Sequence, residues 1–166
     1  IIELDHITEG AACTTLLAKD LINTNDPLII ANSDQYIKWD SIKSMYNYNQ
    51  KKIDGSILTF EAIHPKWSYA KTDKNNYVTE VAEKKVISKN ATVGVYYWKK
   101  GSDYVKCAET MIEKDIRVNK EFYVCPVYNE AIGEGKKIVI DKVSEMHGLG
   151  TPDDLKNFIT KKNLTS

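Results

Sequence analysis

Leu28-Ile29-Ile30-Ala31-Asn32-Ser33-Asp34-Gln35 is the stretch that decides the fold class. Its first four residues are all apolar. A strand with no polar face is covered on both faces, which predicts a central strand of a parallel sheet. The run follows Asn23–Pro27 (NTNDP), which is turn chemistry, and it stops at polar residues. In open α/β sheets ligands bind beyond the carboxyl ends of the strands, so Asp34 stands where a site is expected. A lone carboxylate there can hold Mg²⁺ while water and substrate phosphates complete the shell. It can equally form a turn or cap a helix.

Upstream, Ile1–Leu4 reads as a short strand. Gly10–Leu21 reads as a helix, with Leu16, Leu17, Leu21 and Ile22 on one side. Downstream, Ser41–Gln50 reads as a helix with Ile42, Met45 and Tyr46 on one face, ended by Gly55. Ser56–Ala62, Tyr77–Glu83, Thr92–Trp98 and Lys137–Val143 read as strands. Ser102–Lys114 is amphipathic, and Phe122–Ile132 predicts a helix with Pro126 in its first turns, where proline is tolerated. His147–Pro152 is a glycine-punctuated loop entering a last helix, with Thr151 as N-cap and Pro152 at its first position. Strands alternating with helices predict an α/β fold. Residues 56–98 hold several strands and no helix, which predicts a mixed sheet with a parallel centre and some antiparallel pairing. No repeat, low-complexity tract or linker divides the chain, so residues 1–166 predict one domain.

Lys+Arg and Asp+Glu are both 23, giving a net charge of zero. That balance gives no electrostatic reason to expect a nucleic-acid or membrane-surface partner. No run approaches the roughly 18 apolar residues of a membrane span, and the first ten residues lack the pattern of a signal peptide. Cys13, Cys107 and Cys125 are far apart, with no C-x-x-C pair, and read as free thiols of a reducing cytoplasm.

Further residues could carry chemistry. Glu83 and Lys84 end a predicted strand; a carboxylate accepts hydrogen bonds from sugar hydroxyls and an ammonium neutralises a phosphate. A solvated charge run, EVAEKK, is the plainer reading. Gly94 interrupts a β-branched and aromatic strand, which indicates either a close approach or a bulge. His6 and His64 have no acid–base partner in the sequence, and His147 reads as a loop or packing histidine.

The segments EGAACTTLL (9–17), LIIANSDQ (28–35), EVAEKK (80–85), ATVGVYYW (91–98), EFYVCPVYN (121–129) and GLGTPDDL (148–155) follow one another in a telling order. That order resembles the sugar-nucleotidyltransferase family, the NDP-sugar pyrophosphorylases, and is most similar to the branch found in capsule and surface-polysaccharide loci. The resemblance spans about residues 7 to 160. It implies a GT-A-like, Rossmann-related, mostly parallel mixed sheet flanked by helices. It implies a cytoplasmic, Mg²⁺-dependent reaction of an NTP with a sugar 1-phosphate, giving an NDP-sugar and pyrophosphate. Such chemistry needs positioning and charge neutralisation more than a covalent nucleophile.

Carried over by motif, Gly10 would lie against the nucleobase with Ala11 and Ala12 beside it. Asp34 would bind Mg²⁺, with Ser33 replacing the family's glycine. Glu83 would take sugar hydroxyls and Lys84 the sugar phosphate, with Asp34 and Lys84 as the catalytic pair. Gly94 and Tyr96 would line the sugar pocket, and Glu121 would match the glutamate that opens a helix. Two features depart from the family. Its glycine-rich phosphate loop is not in the sequence, so the chain reads as an N-terminally truncated piece, inactive alone. Gly148 also stands where a second metal-binding aspartate is expected. A GT-A glycosyltransferase and a non-catalytic sugar-nucleotide-binding domain are the alternatives; base, sugar and oligomeric state are not readable.

Overall fold

The structure, a computed structural model, describes residues 1–163; the last three residues of the expected 1–166 domain lie outside it. The α/β expectation holds: a six-stranded mixed sheet is flanked by helices, beside a separate two-stranded ribbon. The strands of the main sheet are β1 (Leu28–Ala31), β3 (Gly55–Glu61), β4 (Tyr69–Thr72), β5 (Val78–Ala82), β6 (Asn90–Trp98) and β7 (Ile138–Lys142). The ribbon pairs β2 (Gln35–Lys38) with β8 (Glu145–Gly148). The helices are α1 (Ala11–Leu16), α2 (Lys19–Ile22), α3 (Ser41–Lys51), α4 (Gly101–Glu113), α5 (Val127–Gly133) and α6 (Pro152–Asn163).

Sheet order is β5-β4-β6-β3-β7, with β1 also on β6. The sheet is mixed but, against expectation, not mostly parallel: among the named strands β3 and β7 alone pair in parallel, and the other pairs are antiparallel. β1 is therefore not a doubly covered parallel strand: it pairs antiparallel with β6, and Ile29 is 48% exposed. One ladder and one covered face suffice to hold it. Both β1 and β4 lie along the edge of β6 opposite β3, β1 at residues 95–98 and β4 at residue 91. The two strands splay apart between these points, and a cleft opens over residues 92–94.

Helices α1, α4 and α5 cover one face through a core that includes Trp98, Tyr104, Met111 and Tyr128. Trp98 stacks on Tyr128 with ring centroids 4.3 Å apart. Burying side chains of this size contributes about 1.5–3 kcal/mol each. The opposite face carries α3, over Tyr97, and the ribbon, whose Ile37 and Met146 pack on Leu58, Val93 and Val95.

Several expectations need correction. Ile1–Leu4 forms no strand and is exposed. The helix expected over Gly10–Leu21 is broken into α1 and α2, and Leu17 and Leu21 face solvent. Of the face expected to be apolar in α3, Ile42 and Tyr46 are exposed and only Met45 is partly buried, while Ser44 and Tyr48 are buried. The cause is polar: Trp39 Nε1 and Tyr48 Oη donate to Asp141 Oδ2 at 2.9 and 2.8 Å, and Ser44 Oγ donates to the same oxygen. That anchor turns the helix away from its apolar stripe. The helix expected from Phe122 begins at Val127, capped by Pro126. Of the loop expected over His147–Pro152, His147 and Gly148 belong instead to strand β8. Thr151 caps α6 as expected, its Oγ accepting from Asp154 N at 3.1 Å.

Candidate functional site

The cleft between β1 and β4 is a cavity of ≈ 270 Å³. Ala11, Glu83, Lys84, Gly94 and Tyr96, all named from the sequence, line it. Asp34 lines an adjoining hollow of ≈ 240 Å³, and the two share Asn32, Gln35, Lys66 and Trp67. The carboxyl ends of β1 and β5 thus deliver Asp34, Glu83 and Lys84 to one continuous depression.

Gly94 is where the cleft can exist at all. Val93, Gly94 and Val95 stand opposite Leu58 alone, a bulge in β6. Gly94 has φ +75°, and a β-carbon there would lie 2.5 Å from Asn32 Nδ2. The bulge and the close approach, alternatives in the sequence, are both present. Asn32 N donates to Gly94 O at 2.9 Å and Thr92 N to Ser68 O at 2.8 Å, so the backbone stays paired where the flanking strands separate.

Glu83 is half-buried and accepts a hydrogen bond from Ser68 Oγ. Burial pushes its carboxyl above the ordinary glutamate value; Ser68 and Lys84 partly oppose this, and Glu121 adds to it. Lys84 has φ +53°, with its N–H bonded to Trp67 O at 3.1 Å. Its ammonium donates to Tyr123 Oη at 2.6 Å, which raises its pKa above the usual lysine value. The floor is polar: Tyr96 Oη lies 3.2 Å from Thr92 Oγ1, beside Cys125. Burial drives both the Tyr96 phenol and the Cys125 thiol upward, so both stay protonated.

Asp34 is exposed, and its carbonyl accepts from Leu149 N at 2.7 Å. Its Oδ2 lies 2.6 Å from where a β-carbon on Gly150 would stand, so the glycine gives the carboxylate room. Gly148 faces Gln35 across the ribbon and lines the same hollow, as does Asp154. Among the described residues no group of three or more His, Cys, Asp or Glu side chains could hold a metal ion. One or two carboxylates with substrate phosphates are enough for Mg²⁺, and Asp34 meets that requirement with Asp154 nearby.

Three expected residues line neither hollow: Ala12, which is buried in the core, Gly10 and Glu121. Gly10, at φ +126°, packs on the backbone of Phe122, which is bonded on either side to Glu9 O and Ala12 N. Glu121 is exposed, opens no helix and bridges Val118. Conversely, Lys66, Ser68 and Tyr123 line the cleft without having been singled out, as do Gln35, read only as a polar strand end, and Trp67, read as core or as an aromatic able to pack on a sugar or base. Pro65 before Lys66-Trp67 was the one local sign of a bend. Gln35 Nε2 is buried and has no hydrogen-bond partner among the described residues. Of the cysteines, Cys107 and Cys125 are buried and Cys13 partly so, all free. His147 packs against Phe158 and pairs with Glu145 at 2.9 Å, a packing histidine as expected.

Solved structures share this architecture. The nucleoside-diphosphate-sugar pyrophosphorylase of Vibrio cholerae RC9 superposes with a TM-score of 0.76 and 25% identity, over 95% of this chain and 67% of that one. The fold is that of a nucleotide-sugar pyrophosphorylase. A UDP-glucose pyrophosphorylase complexed with UDP-glucose matches at TM-score 0.76 and 16% identity, over 95% of this chain and 64% of its own. A putative glucose-1-phosphate thymidylyltransferase from Bacillus anthracis, in complex with a sucrose, matches at 0.69 and 18%, over 92% and 61%. The chain thus spans about two thirds of the length of these structures. No protein-family model matches the sequence, and no curated protein does. No helix among the described residues is long and apolar enough to cross a membrane.

Proposed function

We propose that the cleft is the sugar-phosphate half of a nucleotidyltransferase site, serving transfer from an NTP to a sugar 1-phosphate. The observation that carries this reading is the Glu83–Lys84 pair at the end of β5, facing Gly94 and Tyr96 with Asp34 in the adjoining hollow. A sugar-phosphate oxygen would attack the α-phosphorus, forming one P–O bond. The bond to the β-phosphate bridging oxygen would break, and pyrophosphate would leave with the electron pair. Glu83 would accept from sugar hydroxyls, and the Lys84 ammonium, steadied by Tyr123, would balance phosphate charge. The orphaned Gln35 amide would donate to a ligand oxygen. Mg²⁺, when bound, would offset triphosphate charge, with Asp34 as its carboxylate.

The sequence has no glycine-rich phosphate loop, so the 166-residue chain is expected to bind sugar phosphate without turnover. The resemblance to the surface-polysaccharide branch suggests a cytoplasmic supply of NDP-sugar for such a polymer. Gly148, bringing no second carboxylate, favours as a second reading a non-catalytic sugar-nucleotide binder.

Calorimetry of the chain with a panel of sugar 1-phosphates and NDP-sugars, with and without Mg²⁺, tests both. Lys84→Ala should weaken binding about tenfold, the scale of one charge-assisted hydrogen bond. No binding by any member would overturn the proposal. An Asp34→Ala chain that binds as well with Mg²⁺ as the unaltered one would select the non-catalytic reading.

A further inference from the structure

A cavity of ≈ 540 Å³ shares no lining residue with the candidate site. It lies between α3, the turn joining β4 to β5, and β7. Its volume is in the range of about 300–1,000 Å³ that small-molecule sites occupy.

Both walls are fixed. Asp73 Oδ1 accepts from Asn75 N at 2.8 Å and Tyr77 N at 2.9 Å, which folds the turn. Tyr77 bridges Val139 of β7, pinning the turn to the far edge of the sheet. Asp141 is held from the other wall, its Oδ2 taking the three bonds from Trp39, Ser44 and Tyr48. Its Oδ1 accepts none among the described residues.

The remaining polar groups are unspent. The side chains of Asn47, Asn75, Asn76 and Tyr77, and the ammonium groups of Lys51 and Lys142, line the cavity and make no side-chain hydrogen bond or ion pair among the described residues. Two cations face one carboxylate, so the cavity is net positive. Amides, a phenol and a carboxylate oxygen suit hydroxyls; the two lysines suit a phosphate. Ile53, Val139 and Ile140 supply apolar surface for a ring.

We propose that this cavity is a second binding site, separate from the cleft, for a phosphorylated sugar. The proposal does not depend on the function argued above.

Glucose 6-phosphate, titrated into the ¹⁵N-labelled chain, is the test, with glucose and inorganic phosphate as separate arms. The amide signals of Asn47, Asn76 and Ile140 should shift, with tighter binding than either component gives. Lys51→Ala and Lys142→Ala, both at exposed positions, should each weaken binding about tenfold. Lys84→Ala should leave these shifts unchanged. Absent shifts, or lysine variants without effect, would overturn the proposal. Inorganic phosphate binding as tightly as the sugar phosphate would reduce the site to an anion site and overturn the assigned ligand. Shifts abolished by Lys84→Ala would return the ligand to the cleft.

Discussion

Asn32 occupies the space that a side chain on residue 94 would need: its Nδ2 is 2.5 Å from the position of a β-carbon on Gly94. Gly10 has a harder neighbour, with Phe122 O at 2.5 Å and Phe122 N at 2.6 Å from its own β-carbon position. A side-chain amide can swing aside; a hydrogen-bonded backbone cannot. Gly94→Ala should therefore cost about 1–3 kcal/mol, the range for a left-handed non-glycine residue, and displace Asn32 into the cleft. Gly10→Ala should cost more. Urea denaturation of the two variants measures the order, and a Gly10→Ala chain as stable as Gly94→Ala would contradict it.

Glu83 gives a pH test. Its carboxyl is raised above 4.5, chiefly by burial. A group whose folded value is raised contributes stability that is complete below its unfolded value and is lost as pH rises through the folded value. Glu83→Gln removes the charge and keeps an acceptor for Ser68. The variant should match the unaltered chain in melting temperature below about pH 4.5, gain on it as pH rises from there to the folded value, and keep a constant advantage above that. A difference that does not change with pH would show that Ser68, not burial, governs this carboxylate.

Glu145 titrates in the opposite sense. Lys38 first, then His147, hold its carboxyl down to about 2. A depressed value contributes stability that is present above the unfolded value of 4.5 and lost as pH falls toward 2. Acid should loosen the β2–β8 ribbon before the main sheet. Hydrogen exchange across that window should show amides of 35–38 and 145–148 losing protection first, and Glu145→Gln should remove the pH dependence.

Gly148 offers room that its hollow does not use. A β-carbon there meets only Trp67 Cη2, at 3.9 Å. Gly148→Asp should fold normally and place a second carboxylate in the hollow of Asp34. Mn²⁺ affinity, read by electron paramagnetic resonance, should rise severalfold, and Asp34→Asn should cancel the gain. An unchanged affinity would separate Asp34 from any metal role.

Long periodic runs made much of this fold legible in the sequence. β3, β5, β6, β7, α3, α4 and α6 stand within a residue or two of where their patterns put them. The ribbon was not legible, because Gln35–Lys38 and Glu145–Gly148 are short and find each other across more than a hundred residues. The orientation of α3 was hidden for the same reason: its Ser44 and Tyr48 answer to Asp141, far along the chain. In the cleft, Glu83, Lys84 and Gly94 could be picked out from strand ends and one misplaced glycine, and Tyr96 only through the family resemblance. Lys66, Trp67 and Ser68 could not, since they reach the cleft only because β4 swings away from β6.

Asp34 and Lys84 belong to different pieces of architecture. Asp34 sits at the root of the ribbon, while Lys84 follows a strand of the main sheet, and the two sheets share no ladder. They meet through Ile37 and Met146 against Leu58, Val93 and Val95. Any guest that grips both residues is therefore measured by the thickness of that apolar seam, as an object is between the jaws of a caliper. Adding or removing a methylene in the seam would reset the gap, and with it the length of guest accepted, without altering a single group that the guest touches.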